Sequence, residues 1–216
     1  MAAPPGWGRH RRHLPQSQLI TVDTFPPEVA EPFLRDRVRP QNPTAAAEDL
    51  AEVLDRLNGL PLALEQAAAW VDRVPNRRFA QYVKLFDDAA SEPFPDGTRP
   101  LDYEHTATTA WRVSIAASAA ESPCAARVLD MISFLGPDDL PCEWLRALAT
   151  AGNAYLNATA SELDDGLAAL HCYSLVEIAD TDTVSVHRVI QAATRRTAPR
   201  ESCRRGHQPA PRASRR

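Results

Sequence analysis

The apolar residues of this chain change their period once, late in the sequence. From Val29 to Leu170 they recur three and four residues apart. From Leu175 to Val186 they recur every second residue, and the helical spacing then resumes. From Val29 onward this single switch confines β structure to one short stretch. Leu175-Val176-Glu177-Ile178 and Thr183-Val184-Ser185-Val186 flank Ala179-Asp180-Thr181-Asp182, whose residues are those of a turn. A β-hairpin is expected there, helices elsewhere from Pro26 on, and a short β-branched strand ahead of them at Leu19-Ile20-Thr21-Val22.

The helices can be read from their punctuation. Pro26-Pro27-Glu28 opens one that runs to about Val38, with Val29, Phe33 and Leu34 on one face. Thr44 is expected to cap a second, with Ala45 to Leu57 as its body and Leu50, Val53, Leu54 and Leu57 as its stripe. Asn58-Gly59 is a stop signal, and Pro61 starts a broadly apolar, buried helix that runs to about Val74. Phe79, Tyr82, Val83 and Phe86 mark a fourth helix, and residues 88–103 read as a loop. A long Ala/Ser-rich helix is expected over Thr106–Ala119, with Trp111 and Ile115 on one face. Next comes a helix from Ser122-Pro123 to Leu135, with Val128, Leu129, Ile132 and Phe134 buried. Pro141–Ala149 and Glu162–His171, the latter capped by Ser161, complete the set before the hairpin, and His187 to about Arg196 follows it. The fold expected is mainly α: a small helical bundle followed by a winged-helix domain with a short β-hairpin. The divisions are residues 1–25, a disordered start with a remnant strand at Leu19–Val22; 26–90, the bundle; 101–196, the winged helix; and 197–216, a disordered basic tail.

Charge narrows the function. The chain has 216 residues and a net charge of −4, with 23 Arg and a single Lys, Lys84. From Arg195 onward eight arginines face only Glu201, so that tail carries +7 and the rest of the chain −11. An acidic body argues against broad nucleic-acid binding. No run of about 20 apolar residues is present, and the N-terminal residues lack an apolar signal region. Cys124, Cys142, Cys172 and Cys203 form no CxxC pair and no zinc spacing, which points to a reducing cytoplasm and no metal.

Motifs for chemistry are sparse. There is no GxxxxGK followed by Ser or Thr, no GxGxxG and no GxSxG. Val83-Lys84-Leu85-Phe86-Asp87-Asp88 has the look of a Mg²⁺-positioning strand, but its spacing is helical and it reads as an acidic helix end. His171 and Cys172 are neighbours in sequence, which does not make a nucleophile–base pair. No catalytic set can be assembled.

Gly59-Leu60-Pro61-Leu62-Ala63-Leu64 is the strongest local signal. It resembles the GLPL motif of NB-ARC proteins, the signal-transducing STAND class of P-loop ATPases. Further segments resemble actinobacterial, tetratricopeptide-repeat-associated members in the same order. These are Leu64 to Val71, Ala107 to Ser114 around Thr108-Thr109-Ala110-Trp111, Ile132 to Asp138 with Leu140-Pro141, Leu170 to Val176, and Val184 to Gln191. The resemblance implies a regulatory module in which Pro61 packs near adenine, His187 contacts the ADP phosphates, and Gly59, Leu60 and Leu62 belong to the same cofactor-binding motif. It departs from the family in two ways. Arg188 stands where the motif has Asp, and the P-loop, Mg²⁺ acids and sensor Arg are missing. A truncated NB-ARC/STAND-type regulator without ATP hydrolysis is therefore expected, with ADP or ATP bound weakly or not at all. It would act through a protein partner or the remainder of a STAND protein. The alternative is a winged-helix DNA-binding transcriptional regulator, whose candidate recognition helix, Pro141–Ala149, carries only one Arg, Arg146.

Overall fold

The computed structural model describes residues 24–46, 50–91 and 102–197. The expected strand at Leu19–Val22 and the tail beyond Thr197 lie outside the described residues.

Helix α1 spans Pro27–Val38, with Pro27 at its first position, Glu28 in its first turn and Arg35 and Arg37 in its last. Those charges match the helix dipole at both ends. Its buried face is Ala30, Leu34 and Val38, while Val29 stays exposed. The expected face from Val29 to Leu34 is thus rotated.

The expected single helix from Ala45 to Leu57 is described as two. Helix α2 is Pro43–Ala46 and α3 is Ala51–Leu57, and residues 47–49 lie outside the described set. The cap also differs from expectation. Asn42, not Thr44, holds the start of α2, accepting the Ala45 N–H at 3.2 Å. Asn42 is itself buried, and its amide donates to the Arg77 carbonyl at 2.7 Å and the Val71 carbonyl at 3.4 Å.

Helix α4, Pro61–Asp72, is buried around most of its circumference, as its composition predicts. Helix α5, Phe79–Ser91, runs through the first residues of the expected 88–103 loop, because Asp88-Ala89-Ala90 carries no breaker. Tyr82 is fully buried between Trp70 and Phe86, and its hydroxyl finds no partner among the described residues. An unpaired buried hydroxyl costs stability. Tyr82→Phe is therefore expected to leave stability unchanged or raise it by up to about 1 kcal/mol in urea denaturation. A loss above that size would reveal a bonded hydroxyl.

Helix α6, Asp102–Glu121, is longer than expected at both ends and is shared by the whole fold. It packs on α4 and α5 on one side. On the other it packs on α7, Pro123–Ser133, and on α9, Ala160–Cys172. One apolar core runs through these contacts. Helices α7 and α9 approach closely because Gly166 has no side chain: a Cβ there would sit 3.2 Å from the Ala125 amide nitrogen. Ser122 occupies the cap position of α7 without a side-chain cap bond. Phe134, expected in the core, is 49% exposed beside the Arg195 guanidinium. At α9 the cap is Thr159 rather than Ser161, in a reciprocal box with Glu162.

Between α7 and α9 come β1, Leu140–Pro141, and α8, Cys142–Thr150. After α9 come β2, Glu177–Ala179, and β3, Thr183–Ser185, and then α10, Arg188–Thr197, packed on α7. The sheet is antiparallel in the order β1-β3-β2, with Leu140 and Ile178 both paired to Val184. The hairpin forms where the period-two pattern lies, although Leu175 and Val176 are buried ahead of the ladder. The third strand, β1, is two residues long and has no pattern to betray it. Helix, strand, helix, helix, hairpin is the winged-helix order.

Candidate functional site

The segment Gly59-Leu60-Pro61-Leu62 is the joint between α3 and α4. Asn58 and Gly59 both adopt positive φ, at 48° and 64°. The chain then turns through Leu60, extended and buried, into Pro61 at the first position of α4. Proline costs nothing there, since its missing N–H would have no helical partner. Gly59 also receives the incoming chain: the Phe25 N–H donates to its carbonyl at 2.7 Å. A Cβ on Gly59 would lie 2.1 Å from the Phe25 oxygen, so no other residue fits. Gly59 lines a cleft of about 590 Å³ with Phe25, Ala30, Leu50, Leu54 and Asn58.

His187 lies elsewhere, exposed at the start of α10. It lines a cleft of about 390 Å³ with His171, Ser174, Glu177 and Ser185. Its Nδ1 accepts the Val189 N–H at 3.2 Å, so neutral His187 carries its proton on Nε2. His171 is the reverse. Its Nδ1 lies 3.3 Å from the Val176 carbonyl, which only accepts, so its Nε2 is left as an acceptor. The cleft therefore offers one imidazole donor, at the N-terminus of α10.

The two sites do not share a cleft, but one bridge joins them. Glu65 stands one turn into α4 from Pro61. It accepts the Ser174 hydroxyl at 3.1 Å and the Arg37 guanidinium at 3.1 Å. Arg37 also reaches Asp72 at 3.2 Å. Ser174 is held at φ 53° in the turn after α9 and lines the His187 cleft. The helix started by Pro61 is thus tied to that cleft across 109 residues of sequence. Nothing in the sequence signals such a contact.

A second joint lies at the other end of α4. Arg73 reaches Glu121 at 2.9 Å, and the Tyr173 hydroxyl donates to Glu121 at 2.5 Å. The Arg73 hydrogen bond holds the Glu121 carboxyl below its ordinary range. A depressed carboxyl stabilises the fold above its ordinary pKa, and that contribution is lost as pH falls through the depressed value.

The helix pair α8–α9 stands where a helix-turn-helix would read DNA. The second helix of such a pair enters the groove. That helix is α9, not the expected Pro141–Ala149 segment, and its exposed residues include Glu162, Asp164 and Asp165 with no Lys or Arg. Arg146 on α8 is engaged by Asp164 at 2.7 Å and Asp182 at 2.6 Å.

For a nucleotide, His187 offers one donor in a cleft that Asp138 and Glu177 also line, and Leu60, Pro61 and Leu62 are not among the residues lining the Gly59 cleft. The residues present do not supply the glycine loop and lysine that cradle a triphosphate. Among the described residues no group of three or more His, Cys, Asp or Glu could hold a metal, and no helix is long and apolar enough to cross a membrane.

Residues 116–202 match the model of DUF7779, a domain of unknown function. The match begins inside α6 and takes in α7, the sheet, α8, α9 and α10. No curated protein and no solved structure matches the chain.

Proposed function

We propose that this chain is the helical and winged-helix part of an NB-ARC/STAND-type signalling module. It contacts ADP weakly, does not hydrolyse ATP, and acts through a protein partner or the remainder of a STAND protein. The observation that carries this reading is the Glu65–Ser174 bond. It couples the helix begun by Gly59-Leu60-Pro61-Leu62 to the cleft of His187. A nucleotide touching both would bias how the two parts sit, which is how binding energy becomes a switch. Cys124, Cys142 and Cys172 are free thiols, which suits a reducing cytoplasm.

The charge of α9 supports this reading over DNA recognition. A helix presenting Glu162, Asp164 and Asp165 repels phosphates. Duplex DNA at physiological salt is expected to give no sequence-dependent gel shift. A specific shift would favour the regulator instead.

Titration with a fluorescent ADP analogue tests the proposal. The expected Kd is on the order of 1 mM, where the free energy is only about −4 kcal/mol, because most phosphate contacts belong to a P-loop. His187→Ala is expected to weaken binding several-fold, and unchanged affinity in that variant would remove His187 from the site. Mg²⁺-dependent ATP turnover that follows the protein through purification would contradict the absence of hydrolysis.

A further inference from the structure

A third cleft, of about 770 Å³, is larger than either of the two above and plays no part in them. It runs along α6, which supplies Trp111, Ala117 and Ala120. Trp70 of α4, Leu85 of α5 and Tyr173 also border it. The volume suits a drug-sized molecule, and a mainly apolar, aromatic lining with few polar groups is the common character of ligand sites.

Two observations narrow the ligand. Trp111 is 6% exposed, and its indole N–H finds no acceptor among the described residues, so a buried donor stands unsatisfied there. The charge of the cleft also runs against the rest of the chain. Arg77 and Arg112 line it with Asp88 and Glu121, and Glu121 is already paired with Arg73 at 2.9 Å. The lining thus carries two guanidiniums and two carboxylates, one of these already neutralised by Arg73 from outside the cleft, on a body that carries −11 through residue 194. Arg77 lies 4.2 Å from the Trp70 ring centroid, so positive charge and an aromatic face occur together.

We propose that this cleft binds a flat aromatic monoanion. Its ring packs against Trp70 and Trp111, and its anionic group lies on the side of Arg77 and Arg112. Because Glu121 and Tyr173 belong both to this wall and to the joint of α4, α6 and α9, the ligand would also stabilise that joint.

The test uses the full chain and 8-anilinonaphthalene-1-sulfonate, an aromatic monoanion that fluoresces when shielded from water. Its uncharged counterpart, N-phenyl-1-naphthylamine, is the control. Saturable 1:1 binding of the sulfonate is expected, with a Kd on the order of 10–100 µM, and at least a several-fold preference over the neutral dye. Ala120→Phe fills the cleft from an exposed helix position and is expected to weaken the sulfonate at least ten-fold with an unchanged thermal melt. Ala116→Phe, also exposed and on the cleft, serves if Ala120→Phe does not fold. Arg112→Gln is expected to remove most of the preference for the anion. The proposal is overturned if the filled variants bind the sulfonate as wild type does, or if the neutral dye binds equally well. It is also overturned if the chain forms a dimer that Ala120→Phe disperses, since the cleft then belongs to a second copy.

Discussion

Gly59→Ala is expected to destabilise the protein by about 3 kcal/mol, lowering its melting temperature by roughly 6–12 °C. Two costs combine. A non-glycine residue at φ 64° is strained by about 1–2 kcal/mol. The new methyl also falls 2.1 Å from the Phe25 oxygen, so the backbone must move and the Phe25–Gly59 hydrogen bond stretches or breaks. Gly152 separates the two. It has φ 72°, but a Cβ there meets nothing within 4 Å among the described residues. Gly152→Ala is expected to cost only the strain, about 1 kcal/mol. Equal losses at the two glycines would show that Phe25 does not close over the turn.

Asn42→Ala is expected to cost about 2–4 kcal/mol, read as a shift of the urea midpoint with an unchanged slope. The side chain is 2% exposed and ties three pieces of backbone: the start of α2, the end of α4 at Val71, and Arg77. Removing it leaves the Ala45 N–H and the Val71 and Arg77 carbonyls to find other partners. Thr44→Ala, two residues on and exposed, is expected to change stability by less than about 0.5 kcal/mol. A larger loss at Thr44 than at Asn42 would restore Thr44 as the cap.

These two sites also show what a sequence of this kind discloses. Asn58-Gly59 and Pro61 were legible because their chemistry is local: positive φ at one end of a turn, and a proline where a helix begins. The β-hairpin was legible from its period, and the buried character of α4 from its broad apolar set, Leu62, Leu64, Ala67, Ala68 and Val71. Asn42 was not. Its role depends on carbonyls 29 and 35 residues away, and Thr44 carries the same local cap chemistry. Ser161 lost to Thr159 in the same way, because only Thr159 has Glu162 three residues on to complete the box.

Faces were less legible than elements. Phe134 and Trp144 are apolar by type, yet they lie at the end of α7 and on the outer side of α8, 49% and 59% exposed. Strand β1 consists of Leu140 and Pro141, too short for any periodicity, and exists because β3 is there to pair with it. For the candidate site, the residues of the two halves could be named from sequence, but the link between them could not. Glu65 is one acid among many on the helices, and only the packed fold brings it to Ser174.

The central claim is that Gly59-Leu60-Pro61-Leu62 and His187 serve one nucleotide. Titrating the uniformly ¹⁵N-labelled chain with ADP, and following each backbone amide by NMR, tests it most directly. Shifts that saturate together in the millimolar range are expected at Gly59, Leu60, Leu62 and His187, with Glu65 and Ser174 responding between them. Shifts confined to one of the two clefts, or none at either up to about 10 mM ADP, would contradict it.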